Sequence, residues 1–290
     1  MSLASFIVDR VAARTQRWDF ATAGRRGASL GRLLYKLDRR HREVARKNLA
    51  AAFPERDELW RDNVARSSFA QAGRTIMELL WSPNLARIED PTEIVRFDSL
   101  DNLRTALAEG NGAIVATAHA GNWEITGIAA AHYGIPLIAL ARTLDDPALD
   151  ARLINLRTRT GQQVLPKKNA LRPTMRALRA GNAVALLTDQ NTLRREAVFV
   201  PYFGRLAATT PAAAHLHLRT GAPILNAFSI PEENGYRVII EPPMPIPEVG
   251  EGEADAVVAI TAAVTARIEH YVRAHPEAWL WMHDRWRERP

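Results

Sequence analysis

The chain has no cysteine among its 290 residues. Disulfides, thiolate nucleophiles and cysteine-ligated metals are thereby excluded. Long apolar runs are missing too. The longest stretch free of Lys, Arg, Asp and Glu runs from Ile125 to Ala141 and is broken at Gly134-Ile135-Pro136. A membrane span needs about 20 continuous apolar residues. Asp9, Arg10 and Arg14 interrupt the only candidate core of a leader peptide, so no signal peptide is expected. Neither a Gly-x-Gly-x-x-Gly fingerprint nor a phosphate-binding loop occurs, and no cofactor is expected.

What is present is a composition fit for a folded core, with 47% hydrophobic and 24% charged residues. Acidic residues are scarce at one end. Residues 1–50 hold twelve Lys and Arg against four Asp and Glu, a local charge of +8 that leaves −2 for the rest of a +6 chain. A basic end on a near-neutral body suits an anionic partner, whether a lipid headgroup layer, a nucleic acid or an acidic protein.

The first 85 or so residues read as helices, a membrane-interfacial region ahead of an α/β unit over 86–290. Leu3, Ile7, Val11 and Trp18 fall on one stripe flanked by Arg10, Arg14 and Arg17. Leu30, Leu33, Leu34 and Leu37 form a second, beside Arg32, Lys36, Arg39 and Arg40. Such stripes either pack on the core or, edged by arginine, lie at a membrane surface. From about Ile94 strands alternate with helices. Ala113–Thr117, Pro136–Ala141, Ala183–Leu187, Ala222–Phe228 and Tyr236–Ile240 read as strands. Helices are expected near 122–133, 147–159, 171–179, 211–219 and 255–274. This alternation predicts a mostly parallel mixed sheet covered by helices.

Active sites in open α/β sheets gather beyond the carboxyl ends of the strands. His119 lies there, in His119-Ala-Gly-Asn-Trp-Glu124. Glu124, in the first turn of the next helix, is placed to reach the imidazole and fix its tautomer, leaving the other ring nitrogen as a base. Such a pair can deprotonate a hydroxyl that attacks an acyl thioester, without a covalent enzyme intermediate. Gly121 lets a substrate approach the backbone, and the amides that open the helix could hold an oxyanion or a phosphate. Arg142 and Asp189 end two further strands at the same edge. The arginine can grip phosphate or polarise a carbonyl. Asp189 is either a second orienter of His119 or a helix cap.

Other signals are set aside. Gly27-Ala-Ser-Leu-Gly31 spells a nucleophile elbow, but no strand precedes it and it runs into the Leu30–Leu37 stripe. His215-x-His217 lies on a helical stretch where residues two apart face different ways, and His283 and Asp284 lack ligand partners at a recognisable spacing. No metal site is expected. Trp279, Trp281 and Trp286, beside Met282, read as core, with an interfacial aromatic anchor as the alternative.

Several ordered blocks resemble one family, the late acyltransferases of lipid A biosynthesis within the lysophospholipid acyltransferase group. They are Arg42-Glu-Val-Ala-Arg-Lys-Asn-Leu49 with Phe53-Pro54-Glu55, His119–Glu124, Arg142-Thr-Leu-Asp-Asp-Pro147, Thr188-Asp-Gln-Asn191, and Phe199-Val-Pro-Tyr-Phe203 with Ala208–Pro211. Gly235–Pro243 and Trp281–Trp286 through Pro290 close the series. The resemblance implies a glycerolipid acyltransferase-like fold, with His119 as general base, Glu124 as its partner, Arg142 stabilising charge and Asp189 supporting the site. Gly121, Asn122, Gln190, Lys167 and Lys168 complete the candidate set as substrate contacts. The implied donor is an acyl thioester of acyl carrier protein or coenzyme A. The implied acceptor is a membrane glycolipid such as a lipid A precursor, with a lysophospholipid or a phosphatidylinositol mannoside as the alternative. Peripheral attachment through residues 1–40 to the cytoplasmic face of a bacterial inner membrane is expected. Rivals of another class are a nucleic-acid-binding protein and a membrane adaptor without catalysis.

Overall fold

A computed structural model describes residues 3–159, 161–248, 250 and 252–290. Its first layer is helical: α1 (Leu3–Thr15), α2 (Phe20–Leu37), α3 (Arg39–Ala52) and α4 (Glu58–Trp81). Three aspartates set the starts of the last three helices. Asp19, Asp38 and Asp57 accept from the backbone N–H groups of Thr22, His41 and Trp60 at 2.6, 3.0 and 2.7 Å. Each cap is worth about 1 kcal/mol.

The two long helices α2 and α4 cross at glycines. A Cβ on Gly31 would collide with the Phe69 carbonyl, and one on Gly73 with that of Gly27. The Gly27–Gly31 segment is therefore a close helix crossing. Ser29 sits inside α2 with its hydroxyl donating to the Arg25 carbonyl at 3.0 Å. Because α2 turns its glycines, Phe20, Ala23 and Tyr35 inward, its leucines face out. Leu33 and Leu37 are 49% and 69% exposed, and Phe6 and Ile7 on α1 are also exposed. The Leu3 side chain of the first stripe lies outside the described residues.

The sheet follows, built from β1 (Val95–Asp98), β2 (Ala113–Thr117), β3 (Leu137–Ala141), β4 (Gln163–Pro166), β5 (Ala183–Leu187), β8 (Ile224–Pro231) and β9 (Tyr236–Ile240). Their order is β1-β9-β8-β2-β5-β3-β4. The run β8-β2-β5-β3-β4 is parallel, and β9 reverses against β8 after the Asn234-Gly235 turn, with β1 parallel to β9. The mostly parallel mixed sheet is as the alternation predicts. Between β5 and β8 lie β6 (Val198–Tyr202) and β7 (Arg205–Thr209), a separate antiparallel hairpin. Its two turn residues, Phe203 and Gly204, both have positive φ, 51° and 71°, the condition for a tight hairpin turn.

Helices cover both faces: α5 (Leu100–Ala108) and α6 (Trp123–Ala130) on one, and α8 (Leu171–Arg179), α9 (Ala212–Thr220) and α10 (Glu253–Ala274) on the other, while α7 (Pro147–Thr158) links β3 to β4. Strand alternation separates two cores. Ile114 and Ala116 pack with Leu49, Phe69, Trp279 and Trp281, whereas Val115 packs with Leu103, Ile125 and Ile128. Among the described residues, no helix is long and apolar enough to cross a membrane.

Candidate active site

Thr117 and Leu187 are register partners at the ends of neighbouring parallel strands. Two residues beyond each, His119 and Asp189 arrive side by side. The imidazole Nδ1 lies 2.8 Å from Asp189 Oδ1. The His119 backbone N–H donates to Asp189 Oδ2 at 2.9 Å, and Trp279 Nε1–H donates to the same oxygen at 2.7 Å. Burial works against the Asp189 charge. The neighbouring imidazole and these three hydrogen bonds outweigh it and hold the carboxyl below its ordinary range. An ionised carboxylate only accepts, so Nδ1 must carry the proton. Nε2 is then the basic nitrogen. It bonds to no protein group among the described residues, and the ring is 18% exposed.

Glu124 goes elsewhere. Its two oxygens take a bidentate pair from Arg157 of α7 at 2.8 and 2.6 Å. The expectation that Glu124 fixes the tautomer is therefore corrected in geometric terms: Asp189 meets Nδ1, and a guanidinium in fork geometry captures Glu124. Trp123 fills the space beside the imidazole, its ring edge-on at 5.0 Å.

Gly121 and Asn122 build the loop and present no group to a substrate. Gly121 has φ +59°, and a Cβ there would collide with the Ser229 carbonyl. Its N–H donates to the Ala278 carbonyl at 3.0 Å, and its own carbonyl accepts from Gln71 and Thr75 of α4 at 2.9 and 3.1 Å. Asn122 is fully buried as the cap of α6. Its Oδ1 accepts from the Ile125 N–H at 3.0 Å, and its Nδ2 donates to Glu78 at 2.7 Å.

Glu78 is itself buried and held by Arg74 and Tyr236 at 2.6 Å each. Burial raises its pKa against the pull of Arg74, Tyr236 and Asn122. From the other side Leu280 N–H donates to the His119 carbonyl at 3.0 Å, and Ala120 bridges to Trp279. The catalytic-looking segment is thus strapped by α4, by β8 and by the tryptophan-rich chain end.

Glu78, Arg157 and Trp279 are the site residues that sequence reasoning did not single out as partners. Trp279 carried the only signal, as one of three tryptophans crowded near the chain end. Arg142 is 79% exposed, with Asp145 as its ion-pair partner at 3.7 Å. It lines a polar pocket of about 450 Å³ together with Lys167, Asn191 and His283. Lys168 is exposed on the same turn and Gln190 is half-buried beside Asp189. Neither lines that pocket.

On the opposite side of the loop an apolar cavity runs under α6, lined by Thr117, Trp123, Leu103, Val115, Ile135 and Val238 among others. The imidazole itself lines neither space; it packs on Trp123 of the apolar one, and Asp189, its partner, lies two residues before Asn191 of the charged one.

Known proteins resemble this chain in sequence. A model of the bacterial lipid A biosynthesis acyltransferase family matches residues 20–288. The chain is 27% identical to the lipid A biosynthesis lauroyltransferase of Escherichia coli, over 92% of this chain and 85% of that protein. It is 29% identical to the phosphatidylinositol mannoside acyltransferase of Mycobacterium tuberculosis, over 84% and 77%. A lipid A biosynthesis palmitoleoyltransferase of Escherichia coli matches at 27% over 91% and 84%. With a match that covers nearly its whole length, the chain belongs to the bacterial lipid A biosynthesis acyltransferase family and is an acyltransferase.

Proposed function

We propose that the chain moves a fatty acyl group from an acyl thioester to a hydroxyl of a membrane glycolipid, with His119 as general base and Asp189 as the residue that orients it. The observation that carries this reading is the imidazole held at Nδ1 and open at Nε2. Such a nitrogen can take the proton of an acceptor hydroxyl as its oxygen attacks the thioester carbonyl. The thiol carrier leaves as the carbonyl reforms, and no acyl-enzyme is needed. Glu124 acts at the rim through Arg157, which keeps α7 against the first turn of α6.

The apolar cavity has the lining an acyl chain needs, but its volume of about 70 Å³ holds only the first few methylenes unless α6 or α7 moves. Trp123 touches both the imidazole and the cavity lining, so a chain seated there would bring its carbonyl near Nε2. Donor carriers consistent with this are acyl carrier protein and coenzyme A. The named relatives serve lipid A biosynthesis in two cases and acylate phosphatidylinositol mannoside in the third, and a glycolipid acceptor fits all three. The exposed Leu33 and Leu37 of α2, beside Lys36 and the arginines that follow, support peripheral contact with an anionic membrane face. Exposed leucines between the arginines disfavour a nucleic acid there.

His119→Ala should lower acyl transfer from a labelled thioester by about 10²–10⁴-fold, the usual worth of a general base, while the circular dichroism spectrum stays that of a folded protein and the melting temperature falls because Asp189 loses a partner. Transfer at the parental rate would remove His119 from the chemistry.

A further inference from the structure

The polar pocket beside the site has its own logic. Arg40 reaches it from the start of α3, Arg142 from the end of β3, Lys167 from the end of β4 and Arg287 from the chain end. Among the described residues, Arg40, Lys167 and Arg287 form no ion pair, and Arg142 has only the loose contact to Asp145. Three of the four cations drawn to this pocket have no ion-pair partner among the described residues, and like charges gathered there repel one another unless an anion joins them.

His283 lines the same pocket. Its Nε2 accepts the Asn191 backbone N–H at 3.1 Å. Burial, with His119 and Arg285 nearby, lowers its pKa against the pull of Asp189 and Asp284, so the ring is neutral. A neutral imidazole whose Nε2 accepts must carry its proton on Nδ1. Nδ1 has no protein partner among the described residues, which leaves a fixed donor at the pocket.

The pocket is not purely basic, since Glu196, Asp284 and Glu288 also line it. Glu196 is paired with Arg195 at 3.4 Å. Asp284 keeps its Oδ1 buried away from the open space, while Glu288 forms no ion pair among the described residues and leaves a carboxylate that a ligand hydroxyl would satisfy.

We propose that this pocket is a subsite for a phosphorylated, hydroxyl-bearing headgroup. Arg40, Arg142 and Lys167 supply charge to the phosphate, His283 donates from Nδ1, and Glu288 accepts from a hydroxyl. Asn191, two residues beyond Asp189, ties His283 to the catalytic edge, so a headgroup bound here lies next to the base. That the phosphate belongs to a substrate rests on the acyl-transfer reading; the affinity of the pocket for phosphate does not. Phosphate and hydroxyls together occur both on the ribose end of a coenzyme A thioester and on a phosphorylated sugar lipid.

Titration calorimetry of the whole protein with inorganic phosphate, coenzyme A and glucosamine 1-phosphate tests the proposal. Phosphate should bind saturably, and Arg142→Gln with Lys167→Gln should weaken it by about tenfold or more, since two charge-assisted contacts are lost. His283→Gln keeps an acceptor for the Asn191 N–H but offers no Nδ1 donor, and should weaken phosphate by severalfold.

Tighter binding of coenzyme A than of the sugar phosphate assigns the subsite to the donor, and the reverse assigns it to the acceptor. If neither binds more tightly than inorganic phosphate, the hydroxyl part of the proposal is wrong. No saturable phosphate binding, or unchanged binding by the double variant, overturns the subsite itself. A protein that binds phosphate as described yet transfers no acyl chain would keep the subsite and remove the enzymatic reading.

Discussion

The floor of the site and its rim are built on opposite principles. Beneath the His119–Glu124 segment the groups that hold it are buried and answered: Asp189 by His119 and Trp279, Glu78 by Arg74, Tyr236 and Asn122, and the Gly121 carbonyl by Gln71 and Thr75. At the rim, α7 buries no residue at all. It is held by ion pairs, Arg157 to Glu124 on α6 and Arg152 to Asp9 on α1, the latter bidentate at 2.5 Å. Arg142 and Lys167 stand exposed nearby. A buried, fully bonded network fixes one geometry because any broken member leaves an unsatisfied charge or dipole. The Arg152–Asp9 pair is open to solvent, at 27% and 45% exposed, and costs little to open, whereas Arg157–Glu124 is shielded, at 15% and 13%. The contrast assigns precision to the floor and movement to the rim.

The comparison can be broken most sharply at Asp189. Asp189→Asn should keep the packing yet lose the charge that sets the tautomer, lowering turnover by roughly 10²-fold, near the low end for a disabled general base. It should also change acid stability. The Asp189 pKa lies below its unfolded value, so its contribution is complete above about pH 4 and is lost as pH falls through the lowered folded value. The asparagine variant should therefore lose less stability than the parent in acid unfolding, and identical acid limbs would show that Asp189 is not held as described.

Asn122→Ala removes a helix cap and leaves Glu78 short of a partner. About 2–3 kcal/mol should be lost in denaturant unfolding, with activity falling along with it. At the rim the effects shrink. Arg152→Gln should cost little stability, since its pair with Asp9 is open to solvent, and should lower kcat/KM only modestly, because α7 loses its tie to α1. A loss of stability as large as that of Asn122→Ala would erase the distinction between floor and rim. Smallest of all, Leu33→Ser with Leu37→Ser should weaken binding to anionic vesicles by roughly fivefold, about 1 kcal/mol of interfacial burial, without shifting the melting temperature. Unchanged vesicle binding would take α2 off the membrane.

What the sequence made legible follows the same division. Ala113–Thr117 and Ala183–Leu187 were readable as strands because a strand buried on both faces must be continuously apolar. His119 and Asp189 then followed from their places beyond those strand ends. Gln163–Pro166 hides because an edge strand is short and only half-covered, and its Gln and Pro carry no apolar run. Val198–Tyr202 and Arg205–Thr209 hide because the turn between them is Phe203-Gly204, where the common hairpin signal is Asn-Gly or Asp-Gly. The partner of Glu124 was out of reach for a different reason. Arg157 lies 33 residues on, in a helix with no buried face, and nothing local distinguishes it from the other arginines. Glu78 looked like one more charged residue within a long helix, and only tertiary packing makes it the anchor of Asn122. The Leu30–Leu37 stripe was visible, but its direction depended on Gly27, Gly31 and Gly73, which turn the opposite face of α2 onto α4.

The most direct test is the ring ¹⁵N spectrum of His119, recorded for the parent and for Glu124→Gln and Asp189→Asn near neutral pH. The account predicts a protonated Nδ1 and a bare Nε2 in the parent, the same pattern in Glu124→Gln, and loss of that fixed tautomer in Asp189→Asn. A parent ring protonated on Nε2, or a tautomer that survives in Asp189→Asn and vanishes in Glu124→Gln, would contradict it.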